Sequence, residues 1–284
     1  MKNINWKKIL SLALWIQGIV FLCLVLGFVN KEEDALPFHS LKIETDNKKS
    51  GQYFVEPEDV RAQLDMKAMK IIGEPAGSIN TRLIEKLLNN DPFILNSEVY
   101  MSIDGELTIQ VTQRTPVMRI ITSSGDQFYL DESGAKIPLS DKYSARVPVA
   151  NGNIPGTYLT SLCRPIFENE DTSLAQKHTL LDSLLFLVNH IRRNDFMLAQ
   201  TEEIFVNEDH EFEIIPKVGK QLLVLGDISE LDEKFSKLIL FYKKTSGNLE
   251  WNNFSTLNLK YEGQIVCVRN PEFPPTLIKN PINQ

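Results

Sequence analysis

The stretch SEVYMSIDGELTIQVT, Ser97 to Thr112, carries the clearest local fold signal in the chain. Val99, Met101 and Ile103 alternate with polar residues, Asp104 and Gly105 supply the positive φ of a tight turn, and Leu107, Ile109 and Val111 resume the alternation. A period of two buries one face of a hairpin and leaves the other wet. Toward the N-terminus the period lengthens. Asn80 is placed to cap a helix, Ile79 and Ile84 sit at staple spacing, Ile84, Leu87 and Leu88 share a face, and Asp91 with Pro92 ends it. A shorter helix opens at Glu56 to Val60, with Pro57 in its first turn and acids near its positive end, although Glu56 is a poor capping residue. Phe38 to Ile43 reads as a strand. Strand, helix, helix, strand, strand describes a small α+β module with both helices on one face of its sheet.

Further upstream, Ile9 to Val29 is a long apolar run without a charged side chain, with Lys2, Lys7 and Lys8 before it and Lys31 to Asp34 after it. A hydrocarbon core about 30 Å thick needs roughly 20 helical residues, and the lysine bias directs the N-terminal tail to the cytoplasm and exports the rest. A cleaved signal would usually have a shorter apolar core and end in small residues, which the exit Leu26 to Asn30 does not offer. Cys23 does not suit a lipoprotein signal, because Phe21 and Leu22 precede it. The expectation is a retained single transmembrane helix.

Downstream of Thr115 the pattern changes to many short strands. Val117 to Thr122, Gln127 to Leu130 and Ala135 to Ile137 are separated by turn sequences at Ser124-Gly125 and Glu132 to Gly134. A helix is expected over Ser173 to Arg193, where Leu174, Leu181, Leu184, Val188 and Ile191 recur at helical spacing. Strands return at Glu203 to Asn207, Phe212 to Pro216 and Gln221 to Leu225. A second helix presents Leu231, Phe235, Leu238, Ile239 and Tyr242 on one stripe, before final strands at Thr256 to Leu259 and Gln264 to Arg269. The tail from Pro271, with Pro274, Pro275 and Pro281, cannot join a ladder and reads as extended or disordered.

Composition narrows the function classes. A net charge of −7 and a pI near 5.3 supply no basic stripe for nucleic acid. Three cysteines do not make a disulfide framework; Cys163 and Cys267 can pair in an oxidising compartment or remain two independent buried thiols. His39, His178, His190 and His210 never approach metal-ligand spacing, and no nucleophile elbow or phosphate-cradling glycine loop is present. Asp126, Asp131 and Glu132 lack the rhythm of a calcium loop and read as turn residues. Arg114 and Arg119 flank Pro116 and are candidates for carboxylate partners across a domain junction. No catalytic, cofactor or metal site is assigned.

The last strand, QIVCVR from Gln264 to Arg269, does not alternate apolar with polar residues, which predicts cover on both faces. At a sheet edge the same strand would instead be a template for strand addition. Pattern alone favours an internal strand.

Several segments resemble the bacterial cell-division protein family FtsQ/DivIB. FVEPEDV (Phe54 to Val60) resembles the entry into the first helix of that family's POTRA domain, and Asn90 to Ile94 and on to Val99 resembles its passage into the sheet. VTQRTP (Val111 to Pro116) is similar to the family's Arg-x-Pro boundary, and YLDESG (Tyr129 to Gly134) to its Tyr-x-Asp-x-x-Gly segment. LNLKY (Leu257 to Tyr261) resembles the closing Asp-Leu-Arg-Tyr pattern, with Asn258 and Lys260 in place of the aspartate and arginine.

The resemblance implies an α+β protein with a cytoplasmic tail at 1–8, a transmembrane helix at 9–29 and a POTRA-like β-α-α-β-β module at 38–114. A larger, mostly antiparallel β domain with two helices at 115–270 and a tail at 271–284 would follow. It implies a non-enzymatic septal scaffold, without cofactor, single-pass type II in the bacterial inner membrane with its bulk in the periplasm. The implied partners are FtsB- and FtsL-type single-span division proteins, other septal proteins at the POTRA-like module and the bilayer at residues 9–29, with no nucleic acid. By the same resemblance a partner strand adds near the end of the β domain, at Lys260, Tyr261, Gln264, Ile265, Val266, Cys267, Val268 and Arg269. Two other readings compete. A POTRA-containing export component would need a following barrel of long alternating strands, and a membrane-tethered periplasmic hydrolase a clustered nucleophile and base.

Overall fold

A computed structural model describes residues 14–23, 40–47, 51, 53–66, 79–102, 105–156, 179–245 and 250–271. Residues 14–23 are helical, and among the described residues no helix is long and apolar enough to cross a membrane. Both ends of the apolar run at 9–29, His39, His178, Cys163 and the tail beyond Pro271 lie outside the described residues. The fold is mixed α+β, and the chain divides into two compact units, Met1–Gln113 and Arg114–Gln284.

In the first unit, strands β1 (Ser40–Thr45), β2 (Ile94–Met101) and β3 (Glu106–Gln113) form a sheet of order β1-β3-β2, with helices α1 (Pro57–Met66) and α2 (Thr81–Leu88). β2 and β3 are the antiparallel hairpin, and Gly105 takes φ +80° at its turn. The register pairs Val99 with Ile109 and Ser97 with Val111, so the alternating apolar side chains share one face. Val60 and Leu64 of α1 and Ile84 and Leu88 of α2 are buried with them. Asn80 caps α2 by accepting from the Leu83 amide at 3.1 Å. Glu56 is not the isolated poor cap its side chain suggests, because the Asp59 carboxylate reaches back to accept from the Glu56 amide at 3.0 Å, half of a capping box.

The ends of this small sheet are closed by side chains. Buried Gln113 accepts from the Phe54 and Val55 amides at 2.9 and 2.8 Å and donates to Asp46, joining the segment before α1 to the end of β1. Glu85 of α2 takes the Val99 amide at 3.0 Å, so the helix covers part of β2.

The second unit is a nine-stranded sheet. Its strands are β4 (Pro116–Ile121), β5 (Gln127–Asp131), β6 (Lys136–Pro138), β7 (Val149–Gly152), β8 (Thr201–Val206), β9 (Phe212–Pro216), β10 (Leu222–Gly226), β11 (Phe254–Asn258) and β12 (Val266–Arg269), in the order β12-β11-β10-β9-β8-β7-β4-β5-β6. The pairings are antiparallel except β10 with β11, β7 with β8 and β4 with β7. Parallel neighbours need long crossovers. Helix α5 (Leu231–Thr245) links β10 to β11, and the connection from β7 to β8 contains α3 (Leu180–Arg192) and α4 (Asp195–Gln200).

One register row crosses almost the whole sheet: Phe128, Ile120, Ala150, Ile204, Ile214, Leu223, Leu257 and Cys267. This row forms a core with Leu184, Leu187, Val188 and Ile191 of α3 and Leu231, Phe235, Leu238 and Tyr242 of α5. The opposite row is mixed, running from Phe205 through Glu213, Val224 and Asn258 to Val266.

Three expectations change. Helix α3 starts at Leu180 rather than Ser173, because Thr179 caps it in a reciprocal box with Asp182; Leu174 lies outside the described residues. Strand β7 was not legible, being four residues flanked on both sides by parallel partners. The last strand is not covered on both faces. It lies at the edge of the sheet, and Val266 and Val268 are 42% and 53% exposed.

Candidate functional site

Among the described residues β12 pairs with β11 alone, in the register Thr256 with Val268, Leu257 with Cys267 and Asn258 with Val266. Its side chains alternate in environment rather than in polarity. Ile265 and Cys267 pack against the core, where burial pushes the Cys267 thiol up from its ordinary pKa, while Val266 and Val268 face out. The apolar run therefore serves two purposes, one face for the core and one left open. Among the described residues no strand pairs with the outer edge of β12.

Two other sheet edges are blunted. At the far end of the same sheet, β6 has three residues and ends in Pro138, which has no amide to offer a neighbour. In the first unit, Glu85 already occupies the Val99 amide of β2. β12 is short too, at four residues, but it carries two exposed valines and no proline, which leaves it available to a partner strand.

The sequence from β11 into β12 passes through residues 259–265, and several side chains hold it. Asn258 accepts from the Lys260 amide at 3.0 Å, and the Leu259 amide donates to Val224 at 2.8 Å. Lys260 folds its stem over Gly226, where a Cβ would stand 2.8 Å from Lys260 Cγ, and Gly226 itself takes φ +78°. Its ammonium reaches Glu211 Oε1 at 2.5 Å, and that contact raises its pKa. Lys237 of α5 donates to the Tyr261 carbonyl at 2.6 Å and approaches the Leu259 carbonyl at 3.4 Å. Glu233, one helical turn earlier, accepts from the Gly263 amide at 2.9 Å and pairs with Lys237 at 3.2 Å. The backbone bond to Gly263, followed by the bond to Lys237, lowers the Glu233 pKa. Tyr261 stands 49% exposed on this turn.

The structure thus gathers the sequence-assigned residues on one hairpin but gives them different surroundings. Val266, Val268, Tyr261, Gln264 and Arg269 are exposed, Ile265 and Cys267 face the core, and Lys260 is engaged with Glu211. Glu233 and Lys237 were not singled out from sequence. Their only signal there is an (i, i+4) pair on an amphipathic helix, which ordinarily reads as a solvated face.

The other residues weighed for chemistry serve structure. Asp131 Oδ1 accepts from Ser133 N, Ser133 Oγ and Ala135 N at 2.9, 2.7 and 2.8 Å, and its Oδ2 from Arg114 at 2.7 Å. Asp126 lies in the turn closed by Thr122, and Arg119 bonds Gln127 within its own hairpin. His210 occupies a positive-φ hairpin tip, and His190 Nε2 lies 3.1 Å from Asp232. Among the described residues no group of three or more His, Cys, Asp or Glu side chains is placed to hold a metal ion.

Two family models match the chain. Residues 115–268, more than half of its length, match the family described as FtsQ/DivIB, C-terminal related, and residues 39–112 match the POTRA-like domain. No curated protein matches the chain.

Proposed function

The chain belongs to the FtsQ/DivIB family, and on that premise we propose that it is a septal scaffold that captures a single-span division protein by strand addition on β12. The family is one of non-catalytic cell-division proteins. The observation that carries the finer reading is the open edge of β12, with Val266 and Val268 exposed beside it while β6 ends in proline. In this proposal residues 9–29 anchor the chain in the inner membrane as a type II span, with residues 1–8 in the cytoplasm. The POTRA-like domain, 38–114, and the β domain, 115–270, work in the periplasm at the septum, and the tail is 271–284. The partners at β12 are FtsB- and FtsL-type proteins, and the POTRA-like domain recruits other septal proteins.

The edge sets the scale of the interaction. Alternate residues of a strand direct their amide and carbonyl to the same side, so four residues offer about four main-chain bonds, worth roughly 2 to 6 kcal/mol in all. That corresponds at best to weak binding, and covering the valines and Tyr261 must add the rest. The test is a pull-down of the anchored protein from its native membrane, wild type against Val266→Pro and Tyr261→Ala. Recovery of small single-span coiled-coil proteins by wild type alone supports scaffold and site together. Recovery by all three removes the site from β12, and recovery by none removes the partner assignment.

A further inference from the structure

We infer that Lys237 and Glu233 of α5 are positioning residues that set the register of β12 and so decide which of its side chains a partner meets. The inference rests on the assignment of β12 as the docking edge.

A two-residue hairpin turn fixes strand register by its own geometry, whereas a longer connection leaves it to other contacts. β11 ends at Asn258 and β12 begins at Val266, so the connection is long. The consequence of a slip is severe, because moving β12 by one residue would turn Val266 and Val268 toward the core and Ile265 and Cys267 outward. The pattern QIVCVR resists this weakly, since apolar residues occupy both faces in either register. Something outside the strand must choose.

The pair on α5 meets that need. Lys237 holds the carbonyl of Tyr261 at 2.6 Å, and Glu233 holds the amide of Gly263 at 2.9 Å, two fixed points on the turn immediately before the strand. Lys237 and Glu233 also hold each other at 3.2 Å, and the Lys237 side chain is only 14% exposed, so its stem is packed while both bonds to the turn lie at the surface. Both bonds are charge-assisted, the stronger class. α5 is itself anchored by Leu231, Phe235 and Leu238 in the core, so the clamp is referenced to a rigid element. The main chain on both sides of Tyr261 is thereby fixed while its side chain stays exposed.

The experiment uses the full chain in nanodiscs and, as probe, the purified exported segment of the FtsB-type protein from the same cell. It compares wild type, Lys237→Met, Lys237→Arg, Glu233→Gln and Val266→Pro. Dissociation is expected to be about tenfold faster for Lys237→Met, the loss of one charge-assisted bond, with Lys237→Arg restoring most of it. Glu233→Gln should fall between, and hydrogen exchange at Val266 to Arg269 should accelerate in Lys237→Met without probe present.

Wild-type dissociation from Lys237→Met while Val266→Pro fails to bind overturns the clamp and leaves the edge assignment standing. Faster dissociation with unchanged exchange at β12 also overturns it, because Lys237 would then act by direct contact. Wild-type binding by Val266→Pro overturns the edge assignment, and the clamp with it.

Discussion

Removing the carboxylate of Asp131 is expected to destabilise the second unit more than any exposed substitution. Asp131 is 4% exposed and accepts four hydrogen bonds, three that shape the turn to β6 and one from Arg114, whose side chain is 11% exposed. Among the described residues Arg114 Nε has no hydrogen-bond partner. In Asp131→Ala the guanidinium would keep its charge in a poorly solvated place, and the Ser133 and Ala135 amides would lose their acceptor. Breaking a buried pair from one side costs about 3 to 5 kcal/mol, and the orphaned turn amides push the total toward the upper end. Asp131→Asn separates the two effects. It retains an oxygen for the turn but loses the ion pair, and about 2 to 3 kcal/mol is expected. The assay is urea unfolding of the full chain in nanodiscs, followed at Trp251 with Trp6 and Trp15 replaced by Phe; Trp251 packs edge-on against Tyr242 at 5.9 Å and reports the second unit. A loss below about 1 kcal/mol for Asp131→Ala, the range of an exposed pair, would refute the reasoning.

Two smaller effects complete the set. Thr179→Ala removes one arm of the capping box and should cost about 1 kcal/mol, read as faster hydrogen exchange in the first turn of α3; no change there would remove the box as the reason the helix starts at Leu180. Asp227 has its pKa lowered from 3.8 to about 2, chiefly by the Ser229 hydroxyl and then by Lys234. A depressed carboxylate contributes stability that is present above the unfolded value and is lost as pH falls from near 4 through about 2. Its side chain is 73% exposed, so solvent screening holds the effect below about 1 kcal/mol. Asp227→Asn should flatten the acid limb of a stability-pH profile in that window, and an unchanged limb would contradict the assignment.

Local chemistry made much of this fold legible from sequence. The hairpin around Gly105, the Asn80 cap and the stripe Leu231, Phe235, Leu238 and Tyr242 depend on residues close along the chain, whose side-chain period and turn chemistry act before any distant contact forms. The same is true of the turn at Asp131, where the acid and the amides that donate to it are neighbours in sequence. What the tertiary structure alone decided was pairing at a distance. Four residues became β7 because β4 and β8 stood ready on either side, a condition that nothing in Val149 to Gly152 announces. Likewise the pattern of QIVCVR favours an internal strand, and sheet order made it an edge, since an apolar side chain does not record whether a neighbour will arrive to cover it. Sheet order placed β12 last, left Val266 and Val268 open, and put Glu233 and Lys237 of α5 against its turn. Periodicity is written along one segment, but an edge is defined by the absence of a second segment, and only the assembled sheet contains that information.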